Sequence, residues 1–329
     1  MADTMRAAVY HKYGRPDVVE IQDVEMPVMG DNQMLVRVRA AGVNPHEWHR
    51  LTGRPILYLR RRGGWRRPRN QRLGSDFAGV VEAVGRDVTG FRPGDEVFGT
   101  ANGSFAEYVI AREGGSVVRK PTGVTFEQAA AVPIAALTAL QGLRDRGRLE
   151  AGHRVLVNGA SGGVGTFAVQ IAKAFGANVT GVCSTRNVDL VRSLGADDVI
   201  DYTREDFTRT GHRYDLLLDN ISNKSWPQYR RVLQPEATLV FTGGLQRPNR
   251  LVGAVPHQRR IVRAARRDSR TVAMLFAMIT HEDLEVMAGL LESGKVTTVV
   301  DRHYRLDETA DALRYLGQKH VPGKIVIVP

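Results

Sequence analysis

Eight consecutive residues, Asn158-Gly159-Ala160-Ser161-Gly162-Gly163-Val164-Gly165, include four glycines and only one amide and one hydroxyl as polar side chains. That composition suits one kind of chemistry, which is bringing backbone N–H groups up against an anion. Glycine reaches backbone angles closed to other residues and leaves the peptide itself open to a ligand. The string follows the apolar run Val155-Leu156-Val157 and opens a stretch with apolar residues at Val164, Phe167, Ala168, Ile171, Ala172 and Phe175. Those offsets put all six on one helix face. A glycine turn between a strand and a helix N-terminus presents unpaired N–H groups and a partial positive charge to phosphate oxygens. This is the fingerprint of a dinucleotide site. Ser161, Gly162, Gly163 and Val164 are its expected phosphate contacts, and Gly165 lets the helix pack closely on its strand.

The next strand, Val179–Cys183, runs into Ser184-Thr185-Arg186-Asn187. A site for NADH usually carries an acid here, which accepts hydrogen bonds from the adenosine ribose. No carboxylate occurs in this stretch. Ser184 can donate to a 2′-phosphate and Arg186 can pair with it. One charge-assisted hydrogen bond contributes roughly 1.5–3 kcal/mol, which favours NADPH over NADH by roughly 10- to 100-fold. The alternative, that Arg186 is a solvated residue at a helix start, stays open here.

Other chemistry-bearing groups are less specific. Arginines cluster at Arg60, Arg61, Arg62, Arg66, Arg67, Arg69 and Arg72, and again at Arg259, Arg260, Arg263, Arg266, Arg267 and Arg270, within a net charge of +11. They read either as a solvated surface or as attraction for an anion: cofactor phosphate, nucleic acid or anionic membrane. No aromatic residues interleave with them, and no nucleic-acid module is visible. His46 and His49 flank Glu47 and invite a metal reading, but no thiolate completes a ligand set. Cys183 is the single cysteine, which excludes an internal disulfide framework and a cysteine-rich zinc lobe. The opening MADTMRAAVYHKYG has no apolar run of signal-peptide length, and no stretch approaches the roughly 20 apolar residues of a membrane span. The expected location is the cytoplasm.

A chain of 329 residues is long for one core, so two domains are expected. In the first third, Leu35–Ala40 alternates apolar and basic residues, the period of a half-buried strand. Val80–Val84 and Glu96–Phe98 are similar, with a turn at Phe91–Asp95 between them. Short strands at this spacing suggest a small barrel. From about Thr125 the texture changes. Val155–Val157, Val179–Cys183, Val199-Ile200, Leu216–Leu218 and Thr238–Phe241 are strands separated by helical or loop segments, the pattern of a parallel sheet with helices on both faces. The tail predicts a helix from about Glu282, a strand at Val296–Val300, a helix over Asp307–Leu316 and a strand at Lys324–Val328. The expected boundaries are 1–124, 125–270 and 271–329.

Six motifs taken in order resemble the medium-chain dehydrogenase/reductase superfamily, in its zinc-independent quinone oxidoreductase-like branch. They are Ala41-Gly42-Val43-Asn44-Pro45, Gly74-Ser75-Asp76-Phe77-Ala78-Gly79-Val80-Val81, Gly94-Asp95-Glu96-Val97-Phe98-Gly99, Phe105-Ala106-Glu107-Tyr108, the turn Gly159–Gly165, and Gly195-Ala196-Asp197. The resemblance implies an α/β protein. A GroES-like β-barrel catalytic domain, completed by 271–329, would join a Rossmann doubly wound parallel-sheet domain, with the active site in the cleft between them. Matched by motif, the catalytic zinc ligands of related enzymes fall on Asn44, Ser75 and approximately Ile134, which cannot make a tight zinc site. The resemblance would set Asn44 near the nicotinamide and substrate oxygen, and Thr138 beside the nicotinamide. It would set Tyr202 near the adenosine phosphate, and Asn220, Ile221, Gly243 and Gly244 along the nicotinamide-ribose crevice.

The implied activity is NADPH-dependent hydride transfer to quinones or α,β-unsaturated carbonyls without zinc. A metal-free alcohol dehydrogenase, an enoyl-thioester reductase, and a non-catalytic NADPH-sensing binding protein remain as alternatives. The segment Arg54–Leu73 departs from the simplest relatives. It reads either as an exposed basic loop or as a lid whose arginines attract an anion and whose Tyr58 donates a proton. The resemblance further implies a homodimer pairing the edges of two cofactor-domain sheets.

Overall fold

A computed structural model describes residues 4–56, 64–243, 254–318 and 320–329. Tyr58, Gly244, Arg60, Arg61 and Arg62 lie outside the described residues, as does the middle of the Arg54–Leu73 segment.

The chain opens with the antiparallel pair β1 (Thr4–Val9) and β2 (Glu20–Glu25). In β3 (Gln33–Val43), Met34, Val36, Val38 and Ala40 are buried while Arg37 and Arg39 are exposed, the two-residue period read from the sequence. Helix α1 (Pro45–Thr52) begins with proline in its first turn and ends at Gly53 in the left-handed region, φ 60. Strands β4 (Asp76–Val84), β5 (Glu96–Thr100), β6 (Tyr108–Arg112) and β7 (Val117–Arg119) follow. The short helix α2 (Phe126–Ala130) starts on a capping box, in which Gln128 N donates to Thr125 Oγ1 at 3.2 Å and Thr125 N donates to Gln128 Oε1 at 3.0 Å.

After α3 (Pro133–Gln141) the pattern alternates strand and helix: β8 (Arg154–Asn158), α4 (Gly163–Ala174), β9 (Asn178–Cys183), α5 (Val188–Ser193), β10 (Asp198–Asp201), β11 (Tyr214–Asp219), α6 (Trp226–Val232), β12 (Leu233–Phe241), α7 (Val255–Ala265) and β13 (Thr271–Met274). The strands form one six-stranded sheet in the order β10-β9-β8-β11-β12-β13, and every pairing is parallel. The chain starts at β8, moves outward through β9 to β10, then returns to the other side of β8 with β11. That reversal opens a crevice at the carboxyl ends of β8 and β11, the place where such sheets bind ligands. Both central strands are buried on both faces, which explains their unbroken apolar runs.

The tail supplies α8 (His281–Glu292), β14 (Val300–Arg305), α9 (Thr309–Gly317) and β15 (Lys324–Val328). Strand β15 pairs antiparallel with β3 and parallel with β14. The resulting seven-stranded sheet runs β14-β15-β3-β4-β5-β7, with β6 also on β3. The strand expected at Val296–Val300 lies instead at Val300–Arg305. The Gln170 side chain accepts from Thr297 N at 2.8 Å and donates to Thr297 O at 2.9 Å, taking the backbone groups that a ladder would use. The true strand is polar because it lies at the sheet edge, and its sequence carries no apolar run.

The chain divides into two units: residues through Ile134 with Ile279–Gly294 and Thr298–Pro329, and Ala135–Met278 with Lys295–Thr297. The sequence reading placed the cuts at 124/125 and 270/271. Helix α2 packs on β3 and β4, which draws residues up to Ile134 into the first unit. Strand β13 extends the parallel sheet past residue 270.

Candidate cofactor and active site

Three glycines of the turn after β8 play different parts. Gly159 sits at φ +82, where a Cβ would lie 3.0 Å from the Ile221 side chain. A Cβ on Gly165 would fall 2.1 Å from Gly159 O, so only glycine lets α4 start this close to the turn. Gly162, the residue capping α4, has φ −82 and ψ 175, ordinary extended geometry. An added Cβ there meets only Gly159 O, at 3.5 Å. The protein's own packing therefore does not require glycine at 162. Its bareness leaves room over the first turn of α4, whose N–H groups have no carbonyl within the helix to bond.

Beyond β9, Ser184 is half-buried and Arg186 exposed. Asn187 is buried, and its Nδ2 donates to Ser161 Oγ at 2.9 Å and, more weakly, to Ser184 Oγ at 3.5 Å. Thr185 Oγ1 donates to Asp201 Oδ2 at 2.6 Å, and Thr203 donates to Asp201 Oδ1 through its hydroxyl at 2.7 Å and its N–H at 2.9 Å. The Thr185 hydroxyl above all holds the Asp201 carboxyl below the usual range. Tyr202 is 54% exposed, and its N–H donates to Cys183 O at 3.0 Å.

At the carboxyl end of β11, Asp219 is fully buried and organises the loop that follows. It accepts from Asn158 Nδ2 at 2.9 Å, Ile221 N at 2.8 Å, Ser222 N at 2.9 Å and the Tyr229 hydroxyl. Burial pushes its carboxyl above the ordinary range. Asn220 Nδ2 donates to Asn158 O at 3.0 Å. Gly243 O accepts from Ser222 Oγ at 3.2 Å and from Gln258 Nε2 at 2.7 Å. Asn220, Ile221 and Gly243 are thus brought together beside the glycine turn. Thr138, in α3, is 8% exposed.

Asn44 belongs to the other unit, where both ends of its amide have partners. It is 1% exposed. Its Nδ2 donates to Asp76 Oδ2 at 2.9 Å, its Oδ1 accepts from Lys324 Nζ, and its N–H donates to Glu47 Oε2 at 2.8 Å. Lys324 Nζ also donates to Val43 O at 3.2 Å, and Asp76 accepts from Ile134 N at 3.3 Å. The amide expected to face a substrate oxygen is thus engaged within a buried network of two acids and one ammonium. Burial raises the Asp76 carboxyl to about 7 and lowers the Lys324 ammonium. Glu47 Oε1 is buried without a hydrogen-bond partner. Of the neighbouring histidines, His46 is exposed and His49 half-buried. Among the described residues, no three His, Cys, Asp or Glu side chains are grouped to hold a metal ion.

Sequence reasoning missed Asn187, Asp219, Asp76 and Lys324 as organisers of these sites. Asp219 had a visible signal, since an acid ends the apolar run Leu216–Leu218. The other three become meaningful only through partners distant in sequence.

The comparisons agree with this architecture. Residues 30–122 match the alcohol dehydrogenase GroES-like domain, and residues 194–327 match the zinc-binding dehydrogenase family. The mitochondrial NAD(P)H oxidoreductase RTN4IP1 of Mus musculus is 34% identical, across 98% of this chain and 89% of its own length. The 2-methylene-furan-3-one reductase of Solanum lycopersicum is 32% identical across 99% and 79%. The quinone oxidoreductase structure from Coxiella burnetii superposes with a TM-score of 0.87 at 29% identity, covering 99% of this chain and all of that one. The chain belongs to the medium-chain dehydrogenase/reductase superfamily, in its quinone oxidoreductase-like branch. It is a nicotinamide-dependent oxidoreductase built from a GroES-like domain and a Rossmann domain.

Proposed function

We propose that the protein reduces quinones and α,β-unsaturated carbonyls with NADPH and without zinc. The observation that carries the cofactor assignment is the bare surface at Gly162, over a helix N-terminus that nothing in the protein's own packing requires to be glycine. Ser161, Gly162, Gly163 and Val164 would hold the diphosphate by their N–H groups and one hydroxyl. Ser184 and Arg186 would hold the 2′-phosphate, with Tyr202 beside the adenosine. Asp201, the acid ending β10, has both oxygens occupied by threonine hydroxyls. It is therefore poorly placed to accept from a ribose in the manner of an NADH site. Asn220, Ile221 and Gly243 would line the nicotinamide-ribose end, and Thr138 would pack beside the ring. When bound, the cofactor supplies the hydride.

The donor set speaks against zinc. Asn44 Oδ1 accepts from the Lys324 ammonium, Ser75 offers a neutral hydroxyl and Ile134 offers no donor. The Lys324 nitrogen already takes the Asn44 oxygen that a metal would need. Without a Lewis acid, an alkoxide formed from a simple ketone lacks stabilisation. Conjugated acceptors spread the arriving charge into an enolate or a hydroquinone anion, which N–H donors can stabilise and water can protonate. Two relatives carry names of this chemistry, quinone oxidoreductase and 2-methylene-furan-3-one reductase. On this reading Asn44 acts by holding the Asp76–Lys324 network in place.

We further propose that the protein is a cytoplasmic homodimer. No helix among the described residues is long and apolar enough to cross a membrane. In support of dimerisation, β13 ends the sheet order, and Phe276 and Met278 beyond it are 67% and 70% exposed. Gln141 fixes this segment, accepting from Met278 N at 3.1 Å and donating to Met278 O at 2.6 Å. Light scattering at micromolar concentration checks the dimer. The activity is tested by following NADPH oxidation with a panel of quinones, enones and simple ketones. Turnover with the first two and not the third is expected; turnover with the ketones alone would overturn the assignment.

A further inference from the structure

The two serines assigned to phosphate contact are far apart in sequence, yet one buried side chain touches both. Asn187 is 8% exposed. Its Nδ2 lies 2.9 Å from Ser161 Oγ, in the glycine turn, and 3.5 Å from Ser184 Oγ, beyond β9. The direction of these bonds matters more than their strength. A primary amide nitrogen has two hydrogens and only donates, whereas a serine hydroxyl has one hydrogen and two acceptor sites. Where Asn187 Nδ2 donates to a serine oxygen, that hydroxyl cannot spend its proton on the same nitrogen. Both protons stay available for an outside acceptor. The loop carrying Ser184 is also fixed from its other side, where Thr185 donates to Asp201 at 2.6 Å and Asn187 N donates to Ser184 O at 2.9 Å.

We propose that Asn187 is a positioning residue for cofactor specificity: it orients the Ser161 and Ser184 hydroxyls as donors, one toward the diphosphate and one toward the 2′-phosphate. The inference rests on the NADPH reading above. It assigns Asn187 no contact with the cofactor. It requires the side chain at 187 to be a donor, which is a stronger demand than filling the space.

Replacement by an isosteric acceptor separates these demands. In Asn187→Asp the carboxylate accepts from both serines, turning both protons inward and adding a negative charge. Dissociation constants for NADPH and NADH, measured by calorimetry at pH 8, should rise about 100-fold for NADPH, which engages both hydroxyls, and about 10-fold for NADH, which engages only Ser161. Asn187→Ala leaves both hydroxyls free to rotate toward phosphate, so its loss for NADPH should stay under about 10-fold. In a Ser161→Ala, Ser184→Ala background there are no hydroxyls to reorient, and Asn187→Asp should then cost only a few-fold. Equal losses in Asn187→Asp and Asn187→Ala would overturn the proposal. So would an Asp penalty undiminished without the serines. Failure of the NADPH reading appears separately, in the unmutated protein, as NADH binding as tightly as NADPH or neither binding, and it would take this inference down with it.

Discussion

Adding one methyl group at Gly162 should abolish tight cofactor binding while leaving the fold intact, whereas the same change at Gly165 should destabilise the fold itself. At Gly162 the backbone already has the extended angles of an ordinary residue, and the new Cβ meets nothing nearer than Gly159 O at 3.5 Å. Two small effects oppose each other. Reduced freedom of the unfolded chain stabilises by about 0.4–1 kcal/mol, and alanine caps a helix less well than glycine by up to about 1 kcal/mol. The net change is within about 1 kcal/mol, or about 2–4 °C in the melting temperature. The methyl group stands where the diphosphate would approach the N–H groups of α4. Each charge-assisted bond lost is about 1.5–3 kcal/mol, so NADPH affinity should fall at least 10-fold, and about 100-fold or more if two are lost. In Gly165→Ala the Cβ would fall 2.1 Å from Gly159 O and 2.7 Å from Ala160 backbone atoms. Backbone cannot rotate away, so a loss of about 3 kcal/mol or more is expected. Thermal unfolding and calorimetric titration of both variants decide the matter. The reasoning is refuted if Gly162→Ala binds NADPH as tightly as the unmutated protein, or if it melts as early as Gly165→Ala.

Arg186→Ala should weaken NADPH binding by roughly 10- to 100-fold and leave NADH unchanged, as fluorescence titration with each would show. Asp219→Ala strips the acceptor from two backbone N–H groups, an amide and a phenol inside the protein. It should cost about 3–5 kcal/mol of stability, against about 1–2 kcal/mol for Tyr229→Phe, measured as urea midpoints. Burial raises the Asp76 carboxyl to about 7, whereas the unfolded chain releases that proton near pH 4. The native state thus binds more protons between those values, and the contribution of Asp76 to stability falls as pH rises from about 4 to 7, by at most about 1.4 kcal/mol per pH unit. Unfolding at pH 5 and pH 7.5 should show that decline, and Asp76→Asn should flatten it.

What could be read from the sequence was local. The glycine turn announced itself because strand, turn and helix are contiguous, and β8, β9, β11 and β12 are apolar runs because a parallel sheet buries both faces. Strand β14 was misplaced because an edge strand can be polar, as Asp301, Arg302 and His303 are, while the apolar Val296 nearby is buried without joining a ladder. Asn44 was recognisable from its motif, but its surroundings were not. Lys324 lies 280 residues away, and only the antiparallel pairing of β15 with β3 brings it alongside. Asn187 was hidden for a related reason, because its meaning depends on Ser161, 26 residues earlier, and on the direction of a hydrogen bond.

The central claim is hydride transfer from NADPH to a conjugated acceptor without a metal. It is tested most directly by incubating chelator-treated protein with NADPH deuterated at the transferring position and an enone, then locating the label by mass spectrometry. Deuterium on the carbon β to the carbonyl, at an undiminished rate, is the predicted result. No transfer, transfer to the carbonyl carbon instead, or activity that returns only on adding zinc would contradict it.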